Sequence, residues 1–225
     1  MAERVSNRDK ASTIGSMPKI TTAADYLPER ISLRSLREAA AHCHGCDLYK
    51  GATQTVFGEG KAHASIMLVG ETPGDREDIE GHPFVGPAGK LLDRALDEAG
   101  IDRNDLYITN AVKHFKYVLR GKRRIHAKPK QIEIRACRPW LVAEIKAVRP
   151  KILVAMGATA AQTLLGSTFR LTKHRGEILS NDLVDRIVTT VHPSSILRAP
   201  DDETRRRELA NLVEDLETVA HALRV

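Results

Sequence analysis

Short strand-like runs that alternate with helical patterns constrain the fold of this chain more than any other feature. The runs lie at 64–69, 106–110, 151–156 and 186–191, and they consist largely of apolar and β-branched residues. Short apolar runs bounded by glycine or polar residues are typical of strands that are buried on both faces. Strands that alternate with helices predict an α/β fold, here a three-layer α/β/α sandwich with a largely parallel central sheet.

Apolar residues recur at helical spacing in the segments around these strands. Helices are expected at 33–42, 91–99, 131–148, 158–165 and 201–223. Pro139 lies inside the third of them and should kink or interrupt it, because proline lacks the backbone N–H that a helix interior uses. Residues 70–86 are rich in glycine and proline and are predicted to form a long loop.

The length and charge of the chain limit its organisation and its partners. At 225 residues it can form a full sheet with helices on both faces, and we expect a flexible tail over 1–20 followed by one domain over 21–225. No apolar run approaches the roughly 18 residues that span a bilayer, and the N-terminus lacks the apolar segment of a secretory signal. We therefore expect a cytoplasmic protein without a membrane partner. The net charge of +6 favours an acidic partner, nucleic acid above all.

A basic segment, RGKRRIH, occupies 120–126. Its cations attract a polyanion such as a DNA backbone, and Lys122, Arg123 and Arg124 are the expected phosphate contacts. His126 closes the segment, and a neutral imidazole can act as a base or as a nucleophile near neutral pH. Taken alone, the segment is also compatible with a solvated surface loop or a localisation signal.

Three cysteines and a histidine are candidate metal ligands. Cys43 and Cys46 have the C-x-x-C spacing with which two thiolates chelate one zinc ion or one iron–sulfur cluster. Cys137 can join them only if the fold brings it close, and His114 is the best candidate for a fourth ligand. An odd number of cysteines in a reducing compartment does not predict a disulfide framework. Spacing does not separate zinc from an iron–sulfur cluster, and reduced, buried cysteines beside unrelated histidines are the alternative to a metal centre.

Polar residues stand where three of the predicted strands end. Gly70 and Glu71 follow the first strand. Asn110 ends the second, and His192 follows the fourth. Ligands of open α/β sheets bind outside the carboxyl ends of the strands. We therefore expect these residues to converge on one rim of the sheet and to form the functional site.

Four motifs in this region give the chain a specific resemblance. They are GETPG at 70–74, GHPFVGPAG at 81–89, TNAVK at 109–113 and HPSS at 192–195. In this order, over about residues 40–220, they resemble the uracil-DNA glycosylase superfamily. The resemblance implies the three-layer fold of that superfamily, excision of uracil from DNA as the activity, and a role in DNA repair.

The resemblance extends to one branch of the superfamily. The branch with an iron–sulfur cluster carries C-x-x-C and two later cysteines, and His114 stands where one of those cysteines is expected. Together with KRRIH at 122–126, this difference is similar to the UdgX type, which becomes covalently attached to uracil-containing DNA instead of turning over. Thr72 departs from the glutamine expected in this group. The resemblance implies a [4Fe–4S] cluster, with zinc as the alternative, held by Cys43, Cys46, His114 and Cys137.

The matched motifs also imply roles for the residues at the rim. The uracil must lie in a single strand or be flipped out of a duplex before it can enter a pocket. Phe84 would stack on the base, and the Asn110 amide would pair with uracil O4 and N3–H, a pattern that cytosine inverts. His192 would stabilise the departing uracil anion, and Glu71 the cationic sugar. The expected uracil contacts are Phe84, Asn110, His192, Gly70 and Asp75.

The product implied by the UdgX type is a protein–DNA adduct together with free uracil. His126 is predicted to reach C1′ of the sugar before water does, which makes His126, Glu71 and His192 the catalytic residues. The further DNA contacts expected are Ser194, Ser195, Arg198, Gly86 and Gly89. A conventional glycosylase that releases abasic DNA is the nearest alternative, and a metal-stabilised DNA-binding module without activity is another. We expect a monomer, since the site is complete in one chain.

Overall fold

The computed structural model describes residues 21–224, so the prediction of a tail over 1–20 lies outside the described residues. The strands of the described chain are β1 (Glu59–Gly60), β2 (Ile66–Gly70), β3 (Leu106–Asn110), β4 (Tyr117–Arg120), β5 (Arg123–His126), β6 (Ile152–Met156), β7 (Ile178–Asn181) and β8 (Val184–Thr190). Its α-helices are α1 (Leu33–Ala40), α2 (Asp75–Glu80), α3 (Pro87–Glu98), α4 (Gln131–Val148), α5 (Ala158–Leu165), α6 (Pro193–Leu197) and α7 (Asp202–Ala222).

The sheet confirms the predicted α/β class. Its strand order is β1-β3-β2-β6-β8-β7, and its four central strands run parallel. The short strands β1 and β7 are antiparallel to their neighbours and form the two edges. Gly70 at the end of β2 lies in register with Asn110 at the end of β3. The residues that follow these two strands therefore leave the sheet side by side.

Each face of the sheet packs against helices. Leu68 of β2 belongs to a core that also contains Leu96 of α3 and Leu216 of α7. Its neighbours Met67 and Val69 point to the opposite face and belong to a core formed with α4 and α5. Because side chains alternate along a strand, one buried strand supplies both cores. The result is the three-layer sandwich that the alternation of elements predicts.

A third, smaller core lies beside the sandwich. It joins α1, through Leu36, to α4, through Trp140. Cys43 and Cys137 are buried in the same core. Ser32 caps α1 as its sequence suggests, with its side chain accepting a hydrogen bond from the Ser35 backbone N–H. This core holds the N-terminal part of the described chain against α4.

Two local predictions were wrong because the elements concerned carry no apolar period. The predicted loop over 70–86 contains α2, whose sequence DREDIE shows no amphipathic repeat and which ends at Gly81 with φ 80°. The predicted basic loop is a hairpin of β4 and β5, turning at Gly121 with φ 60°. Glycine accommodates that left-handed conformation without strain. The hairpin gives the basic segment a defined position instead of leaving it loose.

Pro139 was predicted to kink or interrupt its helix, and the interruption does not occur. Helix α4 runs without interruption from Gln131 to Val148. Proline removes one backbone hydrogen bond, but Cys137 and Trp140 on either side of it are both buried against the protein. Packing on this face therefore keeps the helix continuous. No helix within residues 21–224 is long and apolar enough to cross a membrane.

Candidate active site

A cavity of about 630 Å³ opens at the carboxyl ends of the parallel strands. Each of the four central strands contributes a residue to its wall: Glu71 after β2, Asn110 at the end of β3, Gly157 after β6 and His192 after β8. The structure thus brings together the polar residues that were expected on one rim. A cavity of this volume is typical of a site for a small molecule or for a single base.

Phe84 and Asn110 form one side of the cavity and meet at Gly70. A Cβ atom at Gly70 would lie 2.3 Å from Asn110 Oδ1 and 2.7 Å from Phe84 Cζ, so the close approach needs glycine. Gly89 serves the same purpose, since its Cβ would lie 1.7 Å from the Phe84 carbonyl oxygen. Phe84 itself has φ 58°, an unusual value for a non-glycine residue. Strained backbone of this kind is common at functional sites, where the surrounding structure holds it.

His192 faces Phe84 across the cavity, with 5.7 Å between the two ring centroids. Its Nδ1 accepts a hydrogen bond of 3.1 Å from the Ser194 backbone N–H. A nitrogen that accepts cannot carry the proton, so the neutral ring holds its proton on Nε2. Burial lowers the pKa of His192 to about 4, and His126 in its protonated form and the Arg198 cation act in the same direction. Near neutral pH the residue is therefore an uncharged hydrogen-bond donor.

Glu71 lies partly exposed in the wall of the cavity. Its Oε2 accepts a short hydrogen bond from the Thr159 hydroxyl, which belongs to the first turn of α5. This hydrogen bond ties the carboxylate to α5. Thr159 was not predicted from the sequence, because it lies 88 residues from Glu71 and belongs to no recognisable motif.

His126 lines the same cavity as Glu71 and Asn110. It ends β5, opposite Tyr117 in the hairpin, and its ring centroid lies 6.2 Å from that of Phe115. Desolvation lowers the pKa of His126 below its ordinary value of 6.5, while the Glu71 carboxylate partly opposes the shift. The neutral form of the imidazole therefore persists to lower pH than it would in an open loop.

Arg124, which was predicted to contact phosphate, contacts helix α2 and two aromatic rings. Its guanidinium forms ion pairs of 2.6 Å with both Asp75 and Asp78 of α2. It also lies over the rings of Phe115 and Tyr117, 5.3 Å from each centroid. Two carboxylates and two aromatic faces leave Arg124 engaged by the protein itself. Asp75, predicted to contact uracil, lines the cavity and at the same time pairs with Arg124.

The other predicted DNA contacts divide into exposed cations and inward-facing groups. Lys122, Arg123 and Arg198 are exposed, and Arg198 also lines the cavity. The Gly86 N–H donates instead to Glu77 Oε1 at 3.1 Å, and Gly89 is buried under Phe84. The two serines act on His192: the Ser194 hydroxyl lies 2.8 Å from Nδ1, and the Ser195 hydroxyl donates to the His192 carbonyl at 2.7 Å.

The cysteines predicted as metal ligands lie together in the third core. Cys43 and Cys137 are buried, and Cys46 packs against the same core. Backbone N–H groups point at two of the sulfurs: Gly45 to Cys43 at 3.5 Å and Lys113 to Cys137 at 3.2 Å. N–H···S hydrogen bonds are a usual feature of thiolates that bind a metal or a cluster.

His114 follows Lys113, whose N–H contacts Cys137, and a hydroxyl group orients its ring. Its Nε2 lies 2.9 Å from the Thr55 Oγ1, which leaves Nδ1 as the nitrogen available to a ligand. Within residues 21–224, no three His, Cys, Asp or Glu side chains converge closely enough to hold a single metal ion. Ligands of an iron–sulfur cluster bind different iron atoms and stand further apart.

Trp140 gives an independent indication at the same place. It lies one helical turn beyond Cys137 on α4, and its ring packs edge-on against Phe57 with 6.4 Å between centroids. Its indole Nε1–H is buried and has no acceptor among the described residues. Buried polar groups are nearly always paired, so an unpaired N–H in a core that contains three cysteines fits a missing acceptor such as a cluster sulfur.

Comparison with known proteins decides the family. The family model described as "Uracil DNA glycosylase superfamily" matches residues 57–217. The chain belongs to this superfamily. A type-4 uracil-DNA glycosylase of Thermotoga maritima is 38% identical over 176 residues, 78% of this chain and 88% of that protein. One of Pyrobaculum aerophilum is 34% identical over 177 residues, 76% of this chain and 87% of that protein. A type-5 enzyme of the latter organism is 32% identical over 158 residues, 61% of this chain and 64% of that protein.

Membership of the uracil-DNA glycosylase superfamily confirms the resemblance predicted from four motifs. All four motifs lie within the matched residues 57–217. Cys43 and Cys46 precede that range, whereas His114 and Cys137 lie inside it. The superfamily match thus covers the cavity and the hairpin, and the N-terminal half of the cysteine group lies outside it.

Proposed function

We propose that this protein excises uracil from DNA and is then joined through His126 to C1′ of the resulting abasic sugar. One observation carries the proposal: His126, Glu71, Asn110, Phe84 and His192 all line the same cavity. The names of the similar type-4 enzymes support the first half, uracil-DNA glycosylase activity. The second half rests on the position of His126 at the cavity wall.

Recognition of uracil is assigned to the side of the cavity formed by Phe84 and Asn110. A base that has left the stack would lie against the Phe84 ring. The Asn110 side-chain amide makes no hydrogen bond within residues 21–224, although the residue is only 3% exposed. A buried, unengaged amide in a binding cavity is available for O4 and N3–H of uracil. Cytosine presents the opposite pattern and would leave both sides unpaired.

Cleavage of the C1′–N1 bond places negative charge on uracil and positive charge on the sugar. The neutral His192 would donate from Nε2 to uracil O2, where the negative charge develops. Glu71, held by Thr159, would stabilise the cationic sugar. Both groups are fixed before the substrate arrives, so little reorganisation is needed in the transition state.

In the capture step the C1′–N1 bond breaks with its electron pair on uracil, and the lone pair of the neutral His126 forms the new bond to C1′. The imidazolium formed in this way loses its remaining N–H proton, and the uracil anion gains one. The number of protons is therefore unchanged. A positioned imidazole is present at high effective concentration and is a better nucleophile than water, which favours capture over hydrolysis.

We infer that Cys43, Cys46, His114 and Cys137 hold a [4Fe–4S] cluster. The shared core, the N–H···S contacts and the unpaired Trp140 N–H support this. When bound, the cluster would supply cross-links between α4 and the N-terminal segments. The residues of the cavity carry out the chemistry on uracil.

A denaturing gel of the protein mixed with a uracil-containing oligonucleotide tests the function, with a thymine oligonucleotide as control. We expect a band that requires uracil and survives SDS and boiling. The His126→Ser variant should instead release DNA that alkali cleaves at the uracil position, because the cavity still breaks the glycosidic bond. An adduct of undiminished yield in that variant would remove His126 from the proposal.

The same experiment distinguishes two other functions. If the protein is a conventional glycosylase, the wild-type protein would not become attached to the oligonucleotide, and alkali would cleave the oligonucleotide at the uracil position. A DNA-binding module without activity would leave the oligonucleotide intact, and its binding would not depend on uracil. Binding by such a module would also be unaffected by Glu71→Gln or His192→Asn.

A further inference from the structure

We infer that the buried ion pair of Lys113 and Glu144 is a positioning device for Asn110, the residue proposed to read uracil. The side chains of Lys113 and Glu144 are 1% and 0% exposed, and they form a direct salt bridge beneath the end of β3. Neither residue lines the cavity. The inference rests on the proposed function only for the consequence in catalysis, since the contact itself is structural.

Lys113 reaches back along the chain to the strand that carries Asn110. Its Nζ donates to the Asn110 backbone carbonyl at 2.7 Å and to the Thr109 hydroxyl at 2.6 Å. On the other side, the backbone at Asn110 is held by β2: the Ala111 N–H donates to the Gly70 carbonyl at 2.9 Å. The peptide group that follows Asn110 is thus fixed from two directions.

Glu144 accepts hydrogen bonds from three further groups besides its ion pair with Lys113. Its Oε1 accepts from the Tyr107 hydroxyl at 2.9 Å, the Thr109 hydroxyl at 3.0 Å and the Gly58 N–H at 3.1 Å. Gly58 allows this approach, since a Cβ there would lie 2.4 Å from the carboxylate oxygen. The network therefore connects α4, β3 and the segment before β1 at one point.

The side chain of Asn110 depends on this backbone for its direction. Because no described residue bonds to the Asn110 amide, its orientation follows from where the backbone places Cα and Cβ. A shift of the peptide group would move the amide away from the position that pairs with uracil. Misplacement of a recognition group by about 1 Å can lower a rate by about a hundredfold.

Stability alone is a poor explanation for this pair. Two buried charges lose their hydration, and an apolar or neutral replacement of similar volume is often as stable or more stable. Removing only one partner, by contrast, leaves an uncompensated buried charge and destabilises the fold. If the pair serves to position Asn110, a variant that lacks both charges should still fold. The same variant should recognise uracil less well.

The test is the double variant Lys113→Met/Glu144→Gln, compared with wild type and with Tyr107→Phe. The Glu144→Gln change keeps an acceptor for Gly58 and Thr109, and the Lys113→Met change fills the volume of the lysine. Tyr107→Phe removes one hydrogen bond to Glu144 and leaves the contact between Lys113 and Asn110 intact. Thermal unfolding establishes that each protein is folded. Uracil excision is measured in single turnover over a range of protein concentrations, which separates the maximal rate from half-saturation.

We expect the double variant to unfold within a few degrees of wild type, while its maximal excision rate falls about tenfold to a hundredfold. Half-saturation should change little, because contacts to the DNA backbone are retained. Tyr107→Phe should resemble wild type. A double variant with the full maximal rate would overturn the inference, and so would equal losses in the double variant and Tyr107→Phe.

A second readout separates this inference from the proposed function. The chain has five asparagines, so the side-chain amides can be followed by NMR with ¹⁵N-asparagine labelling, and Asn110→Asp identifies the resonance of Asn110. We expect a shifted or broadened Asn110 resonance in the double variant and an unchanged one in Tyr107→Phe. This result does not require uracil excision. An unchanged Asn110 resonance in the double variant would overturn the positioning role even in an active protein.

Discussion

At the scale of single residues, the proposed capture depends on His126 being neutral. Desolvation lowers its pKa below 6.5, against the opposing charges of Glu71 and Glu77, and Arg198 adds to the lowering. The neutral nucleophile is therefore fully present above about pH 7 and is lost as the pH falls through the lowered pKa. His192, with a pKa of about 4, stays neutral over this interval, so excision continues. We predict that the ratio of adduct to free abasic DNA falls as the pH is lowered through the pKa of His126.

Both products can be measured in one sample, the adduct by its retarded band and the abasic DNA by alkali cleavage. The His126→Ser variant is the control and should give only abasic DNA at every pH. The pKa of His126 can be measured separately from the pH dependence of its ring NMR signals, and a wild-type ratio that stays constant through that pKa would show that protonation of His126 does not limit capture.

Gly70 provides a second prediction at this scale. In Gly70→Ala the new methyl group would lie 2.3 Å from Asn110 Oδ1 and 2.7 Å from the Phe84 ring. One or both side chains must move, so we expect uracil excision to fall about tenfold to a hundredfold. Gly51→Ala is a matched control, because its Cβ would meet no atom closer than 3.8 Å. Equal excision rates in the two variants would contradict the tight packing proposed for the uracil pocket.

Residues that are proposed to act on the substrate could be predicted from the sequence, whereas residues that are proposed to act through other residues could not. Asn110 and His192 were predicted to share a rim because they stand at strand ends, and both line the cavity. Thr159 and Glu144 carry no such signal. Each lies far from its partner along the chain, since Thr159 is 88 residues from Glu71 and Glu144 is 31 residues from Lys113.

At the scale of elements, the basic hairpin is a positioned arm and not a loose loop. Arg124 ties it to Asp75 and Asp78 of α2, whereas the neighbouring Arg123 is exposed. We predict that Arg124→Met lowers the adduct fraction about tenfold while excision persists, because His126 loses its defined position. Arg123→Met removes the same charge from the same strand and should mainly weaken DNA binding.

Salt dependence separates the two arginines. An exposed cation that contacts phosphate contributes about one unit to the slope of log affinity against log salt, and its loss lowers the slope by about that amount. Arg123→Met should show this change, and Arg124→Met, whose charge is already paired with carboxylates, should not. The opposite pattern would return Arg124 to its predicted role as a phosphate contact.

The elements that the sequence predicts well are those with a strong apolar signal. The parallel strands are buried on both faces and read as continuous apolar runs, as in Ile152–Met156. The edge strands β1 and β7 have two and four residues and are partly exposed, so no run marks them. Helix α2 is short and charged. Its existence depends on contacts that form only in the folded chain, such as the ion pairs with Arg124.

At the scale of the whole molecule, the two cores of the sandwich and the third core are expected to be stabilised by different interactions. The sandwich buries large apolar side chains on both faces of the sheet. The third core is smaller, and it contains Cys43, Cys137 and the unpaired Trp140 N–H. Lys113 connects the two regions, because its N–H donates to Cys137 while its Nζ donates to the Asn110 carbonyl. A disturbance of the cysteine group therefore has a short route, through the two hydrogen bonds of Lys113, to the residue proposed to bind uracil.

Removal of the proposed cluster should loosen one part of the molecule and spare the rest. Oxidation in the presence of a chelator would strip iron from the isolated protein, and we expect protection from hydrogen exchange to fall in α1 and in 41–50 while the central strands remain protected. The melting temperature should fall by about 5 °C or more, since about 2–4 °C corresponds to 1 kcal/mol in a chain of this length. Trp140, the single tryptophan, reports on the same event, because a cluster beside it would quench its emission. Emission should rise as the iron is lost. Unchanged emission and unchanged protection after complete loss of iron would mean that the iron was not held in the cysteine core.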